Sequence, residues 1–331
     1  MAKLSIAVFG GGSVGLCLAA HFAKAGARVF LLVRQTSIEA ILGKPIAVTG
    51  LLGDHLVSAG AYTVCDADAP PDEVLGCNML VMTTKAYDLD KALRPFVEKA
   101  RCPPILQLQN GMGAGEIARR AVGPNVAVYS SAMMIGMARQ TPTSVVVTAQ
   151  SSPILCGSLL GDTEKPLRDV LRVAEQGFVP MAHDPSIRKT ISFKLLFNSC
   201  MNPTGALTGQ TYGELLDNPD SREFNVGLAD ETLAAYAQAF DYRPADSGQH
   251  YVEEVHSKII FPRAQDHRSS MLQDLQAGRK TEIDFLNGAI ILLADDAGLP
   301  SVRHKSITQL IKACEASKAF SHQGHSSLEA R

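Results

Sequence analysis

The 331-residue sequence contains no uninterrupted apolar run that reaches the roughly 18 residues of a membrane span, so no span is expected. It also lacks an excess of either charge: 31 Lys+Arg against 33 Asp+Glu give a formal net charge of −2, and long basic runs are missing. A protein whose main work is gripping nucleic acid or an anionic membrane surface is therefore not expected, and any phosphate it binds should be met locally. Paired cysteines are missing as well. Cys17, Cys65, Cys77, Cys102, Cys156, Cys200 and Cys314 are odd in number and scattered, and no two of them form a C-x-x-C pair. That pattern argues against a disulfide framework or a zinc site, so no metal is expected, and it points to reduced thiols in a cytoplasmic chain. The apolar stretch from Lys3 to Ala20 superficially copies a signal peptide, but Gly10, Gly11, Gly12 and Gly15 cut it, and no leader is expected.

What the chain does carry is an alternation of strand-like and helix-like segments. Leu4–Phe9 is a short apolar run of the kind buried on both faces of a parallel sheet, and glycines stop it at once. Helical spacing runs from Val14 to Ala25, Gly26 stands where a left-handed cap belongs, and Arg28–Val33 is a second buried strand. These pieces make one βαβ unit. The alternation continues with strands at Asn78–Thr83, Ile105–Leu108 and Val126–Ala132 and a helix at Tyr87–Ala100. Pro45–Val64 reads as a strand or hairpin excursion. Ser144–Thr148 and Ile154–Cys156 read as closing strands, covered by a helix at Glu164–Gln176.

From about Ser186 the segments are long and helix-prone: Ile187–Thr208, Phe224–Phe240, Tyr251–Ile260, Ile283–Ala297 and Val302–Lys318. The fold class expected is α/β, an N-terminal Rossmann-type doubly wound sheet followed by a mostly α-helical domain. Its divisions are a dinucleotide-binding domain over 1–185, a helical substrate domain over 186–318 and a disordered tail over 319–331. The helical domain offers a surface for a homodimer.

Gly10-x-Gly12-x-x-Gly15 lies between a strand and a helix, the context in which this pattern carries weight. The first glycine permits the turn, the second lets backbone approach a pyrophosphate, and the third lets helix and strand pack closely. A glycine turn without a ligand is the bland alternative. After the second strand stands Arg34 rather than a carboxylate. A guanidinium there fits the 2′-phosphate of NADP, although an exposed arginine at a strand end is common. Thr84-Lys85-Ala86 and Gln109-Asn110-Gly111 follow two further strands, where ligands of open α/β sheets sit.

Lys194, Asn198 and Asn202 recur at i, i+4 and i+8 on an otherwise apolar helix. Such a polar stripe must face water, a partner or a site, and a lysine in it can act as general acid toward a carbonyl oxygen. An interdomain hydrogen-bond ladder would also produce it. Thr281 and Asp284 resemble a capping box, with Glu282 in the first helical turn.

Together these segments resemble the ketopantoate reductase family, of the 6-phosphogluconate dehydrogenase-like superfamily. The resemblance runs from Leu4 to about Ala313 and includes Thr211-Tyr-Gly-Glu-Leu215 and Ser269-Ser-Met-Leu-Gln-Asp274. It implies reduction of 2-dehydropantoate to pantoate with NADPH, in pantothenate biosynthesis, and a small 2-keto acid as the molecule bound. It implies Lys194 as general acid and Glu282 as a contributor to catalysis and cofactor positioning. Asn110 and Ser270 would hold the substrate, Asn198 and Asn202 would orient substrate and lysine, and Lys85 would lie beside the cofactor. Gly10, Gly11, Gly12, Ser13, Val14, Gly15, Arg34, Asn110 and Glu282 complete the implied cofactor contacts. Ser192 stands where relatives often carry an aromatic residue, and Gly205 where they carry a hydroxyl, so a different pocket wall is expected. Two alternatives stay open: a reductase of another 2-keto acid, and a non-catalytic NADP-sensing protein.

Overall fold

The computed structural model describes residues 3–254 and 265–317. The expected tail over 319–331, Lys318 and most of the Tyr251–Ile260 helix lie outside the described residues. The chain divides into two compact units, one of residues 1–109 and 113–188, the other of Asn110–Met112 and 189–331.

The first unit is built on twelve strands: β1 (Ser5–Phe9), β2 (Arg28–Val33), β3 (Ile46–Gly50), β4 (His55–Val57), β5 (Tyr62–Asp66), β6 (Met79–Met82), β7 (Ile105–Gln107), β8 (Val128–Ala132), β9 (Ile135–Thr141), β10 (Ser144–Gln150), β11 (Ile154–Gly157) and β12 (Met181–His183). Eight of them form a sheet in the order β12-β11-β8-β7-β6-β1-β2-β5. From β5 to β8 every pairing is parallel, and β11 joins β8 antiparallel. Both faces of this run are covered, which is why its strands read as unbroken apolar runs: Ile6, Ala7 and Val8 in β1 and all four residues of β6 are fully buried. Strand order reverses between β1 and β6, the switch point at which open α/β sheets bind ligands.

The hairpin excursion is real and larger than the sequence suggested. β3 and β4 pair antiparallel, and β3 also pairs with β10, giving a separate four-stranded sheet β4-β3-β10-β9. Ser144–Thr148 and Ile154–Cys156, expected as closing strands of the first domain, are both strands of the first unit, the former in this second sheet and the latter in the main one. The short polar turn Thr141–Ser144 folds β10 back on β9, and that pairing takes it out of the doubly wound layer. The expected helix at Tyr87–Ala100 starts as a single 3-10 turn, Ala86–Asp88, before the α-helix Leu89–Glu98.

The second unit, as described, is helical. Its apolar core gathers Leu195, Leu196 and Met201 from the helix Ile187–Thr208, Leu228 and Tyr236 from Pro219–Phe240, and Ile290, Ile307 and Ile311 from the last two helices. Pro203 lies inside the first of these helices. A proline there cannot donate to the carbonyl four residues back. The Ser199 carbonyl is released in this way and accepts from Asn287 Nδ2 at 2.9 Å, while His304 Nδ1 lies 3.0 Å from the same nitrogen. The segment just before Asn287 is thereby tied to the helix that carries Lys194.

That segment corrects the sequence expectation. Ile283–Ala297 is not one helix: a 3-10 turn, Ile283–Phe285, is followed by an α-helix over Asn287–Asp296, with Leu286 at φ −99°, ψ −91° between them. The expected capping box is not formed. Thr281 Oγ1 donates to Glu315 at 2.6 Å and accepts from the Ile283 amide, and Asp284 pairs with Lys312 at 2.5 Å. Distant charged partners on the last helix outcompete the local cap, and Glu282 becomes the residue that opens the 3-10 turn.

Candidate active site

In the first unit, the end of β1 is shaped by glycine. Gly10 has φ +121°, and a Cβ there would stand 2.5 Å from Thr83 Oγ1; one on Gly15 would stand 1.9 Å from the Gly10 carbonyl oxygen. Thr83 Oγ1 donates to the Phe9 carbonyl at 2.8 Å and so locks the end of β6 to the end of β1. Its role was not read from the sequence, where Thr83 looks like any strand terminus. A Cβ on Gly11 would meet the Val33 side chain at 2.8 Å, so three of the four glycines serve packing. Gly12 differs: nothing lies within 4 Å of its added Cβ, and it caps the helix Ser13–Lys24.

The first turn of that helix, which holds Ser13 and Val14, contains no acidic residue. Open backbone at the positive end of a twelve-residue helix fits a pyrophosphate. Arg34 follows β2 directly, is exposed, and its guanidinium has no hydrogen-bond partner among the described residues. Lys85 is half-buried just beyond β6, where it opens the 3-10 turn.

In the second unit, Lys194, Asn110 and Glu282 come together. Lys194 Nζ donates to Asn110 Oδ1 at 2.7 Å, and Asn110 Nδ2 donates to Glu282 Oε2 at 3.4 Å. Asn110 reaches this position because Gly111, at φ +88°, allows the chain to lie against the 3-10 turn. The Met112 amide donates to the Phe285 carbonyl at 3.0 Å. Burial pushes the Lys194 ammonium down to a pKa of about 8, and the Glu282 charge partly opposes that fall. An amine poised there holds its proton at neutral pH and can release it to a developing alkoxide.

The stripe expected on this helix is present. Asn198 is only 8% exposed, yet its side-chain amide has no hydrogen-bond partner among the described residues. That amide is not sealed from solvent, so water or a ligand can reach it. Asn202 Oδ1 accepts from the Tyr212 phenol at 2.8 Å, and its backbone carbonyl accepts from Ser269 Oγ. Ser270 is exposed at the first turn of the helix Ser270–Gln276, whereas Ser269 is buried and caps it.

The two departures from family pattern are both buried. Ser192 is fully buried beneath Tyr236, whose phenol donates to its carbonyl, and Gly205 packs toward the Gln210 carbonyl and Leu215. Thr211 and Glu214 form a complete capping box, which the T-x-x-E spacing could have announced. Among the described residues no group of His, Cys, Asp and Glu is arranged to hold a metal ion, and no helix is long and apolar enough to cross a membrane.

A parallel doubly wound sheet with a glycine turn is the architecture of the dinucleotide-binding α/β class, and the helical unit adds a lysine held on an amide beside a carboxylate. Residues 6–160 match the family model described as ketopantoate reductase PanE/ApbA, and residues 186–315 match its C-terminal model. The chain belongs to the ketopantoate reductase family, whose members act on CH–OH groups. A protein named 2-dehydropantoate 2-reductase from Aquifex aeolicus is 28% identical over 313 residues, 93% of this chain and 96% of that one. Among solved structures, a PanE/ApbA family ketopantoate reductase from Ralstonia eutropha JMP134 is similar with a TM-score of 0.80 at 21% identity, covering 95% of this chain and 99% of that one. D-mandelate dehydrogenase in a ternary structure with NADH and anilino(oxo)acetate is similar with a TM-score of 0.81 at 19% identity, again over 95% and 99%.

Proposed function

We propose that the protein reduces 2-dehydropantoate to pantoate with NADPH, in the cytoplasm and as a step of pantothenate biosynthesis. The observation that carries this reading is Lys194, whose Nζ is fixed 2.7 Å from Asn110 Oδ1 with its pKa lowered to about 8 by burial. The first unit is the NADPH-binding domain: the Gly10–Gly15 turn with Ser13 and Val14 receives the pyrophosphate, Arg34 pairs with the 2′-phosphate, and Lys85 lies beside the cofactor. A nicotinamide cofactor, when bound, supplies the hydride that adds to the keto carbon. Lys194 Nζ gives its proton to the keto oxygen, so hydride and proton together yield the alcohol. Glu282 keeps that proton on Nζ by its charge, and Asn110 holds the amine in register.

Asn198, Asn202 and Ser270 hold the substrate's oxygens. Donors already in place where negative charge develops need no reorganisation during the reaction. A second reading keeps this chemistry on a different 2-keto acid; it rests on the fold shared with D-mandelate dehydrogenase. A non-catalytic NADP sensor has no use for a lysine and carboxylate joined through one amide. Initial rates over a panel of 2-keto acids separate the readings. A preference of tenfold or more for another acid, about 1.4 kcal/mol in the transition state, contradicts the 2-dehydropantoate assignment.

A further inference from the structure

Asn202 lies eight residues beyond Lys194, about 12 Å farther along the helix axis. Its two side-chain polar atoms are in different situations. Oδ1 is engaged by the Tyr212 phenol at 2.8 Å, while Nδ2 has no hydrogen-bond partner among the described residues, although Asn202 is only 5% exposed. Nδ2 nevertheless keeps solvent-accessible surface, so a ligand atom can reach it.

The phenol is itself held firmly. Tyr212 is 7% exposed and its ring meets Phe197 edge-on, with centroids 5.3 Å apart. Its backbone amide donates to the His267 carbonyl at 3.0 Å, and the next amide donates to the Gln265 carbonyl at 2.9 Å. The capping box of Thr211 and Glu214 fixes the start of the helix on which Tyr212 is the first residue. Burial also pushes the phenol's pKa up, which keeps it a donor throughout the working pH range.

We propose that Tyr212 is a positioning residue that sets the polarity of Asn202: with Oδ1 occupied by the phenol, Asn202 presents only its NH2 group, so the substrate atom it meets is a hydrogen-bond acceptor such as a carboxylate oxygen. An asparagine free to rotate could offer either an acceptor or a donor. A phenol can also accept from an amide, but this one has no other acceptor for its proton among the described residues, so donation to Oδ1 is the arrangement that leaves the phenol proton paired and turns NH2 toward the ligand. This assignment rests on the reading of the protein as a 2-keto acid reductase.

Tyr212→Phe deletes one oxygen and keeps the ring contacts. Its KM for 2-dehydropantoate should rise roughly tenfold, the loss expected of a charge-assisted hydrogen bond that is no longer preorganised. kcat and the NADPH dissociation constant should stay within about twofold, a split that a merely structural role would not give. The double variant Tyr212→Phe/Asn202→Ala should be no worse than Asn202→Ala alone, because the phenol acts only through that amide. Asn202→Asp supplies a second route: it can still accept from Tyr212 but offers oxygen where NH2 stood, and its KM should rise at least as far as that of Asn202→Ala. An unchanged KM in Tyr212→Phe, multiplicative losses in the double variant, or wild-type KM in Asn202→Asp each overturns the proposal. Failure of the functional reading looks different: the wild-type protein would reduce no 2-keto acid. The same variants in a urea-unfolding cycle would then still report the Tyr212–Asn202 coupling, and additive stabilities would overturn it.

Discussion

Gly111 lies against Phe285 so closely that a Cβ on the glycine would stand 2.0 Å from the Phe285 carbonyl oxygen. This contact seats Asn110 between Lys194 and Glu282, and the positive φ of +88° would strain any side chain even in open space. Gly111→Ala should therefore displace Asn110, with a stability loss of about 1–3 kcal/mol and a fall in kcat of at least tenfold. Urea unfolding and steady-state rates check the two effects separately. A variant with wild-type kcat would show that Asn110 is not needed where it stands.

The Lys194 pKa of about 8 sets a pH dependence with a definite sign. A general acid works while protonated, so kcat for keto acid reduction should be flat at neutral pH and fall as pH rises through about 8. Glu282 raises this pKa, so Glu282→Gln should move the alkaline limb to lower pH. A limb that moves upward, or does not move, contradicts the coupling.

Arg34→Ala should weaken NADPH far more than NADH, by roughly 1.5–3 kcal/mol, as expected for hydrogen bonds to a charged group. Fluorescence titration with both cofactors reads this difference. Equal losses would take Arg34 out of contact with the 2′-phosphate.

Two buried histidines, His21 and His304, set the acid limit of stability. His21 accepts the Phe178 and Val179 amides on Nδ1, and His304 lies among Thr232, Leu228 and Asn287; burial holds both near a pKa of about 4. Their folded values lie below the ordinary 6.5, so their stabilising contribution is complete above about pH 6.5 and is lost as pH falls through about 4. Each shift is worth on the order of 3 kcal/mol, so urea midpoints should drop steeply between about pH 6 and pH 4. A flat midpoint over that interval would contradict the buried neutral state.

Much of this was legible in the chain because local signals and packing agreed. Arg28–Val33 and Ile187–Thr208 were read to the residue, since a doubly buried strand and a helix ended by Gly209 carry their own boundaries. The polar stripe from Lys194 to Asn202 was visible as periodicity alone. What failed was decided by distant partners. The Thr281–Asp284 box yielded to Glu315 and Lys312. β9, β12 and the helix Ala114–Val122 were missed; β12 has only three residues, and the helix is introduced by the glycine-rich Gly111–Gly115 stretch that reads as a loop. Tyr212 escaped notice because its partner lies ten residues back, on another helix.

The most direct test is oxidation of NADPH by the purified protein with 2-dehydropantoate, followed by the loss of reduced-nicotinamide absorbance, for the wild type and for Lys194→Ala. Saturable turnover in the wild type is expected, preferring NADPH to NADH, with a loss of at least a hundredfold in Lys194→Ala while NADPH binding is retained. Undiminished turnover in Lys194→Ala would contradict the general-acid role, and a wild type that binds NADPH but reduces neither 2-dehydropantoate nor any other 2-keto acid would contradict the account as a whole.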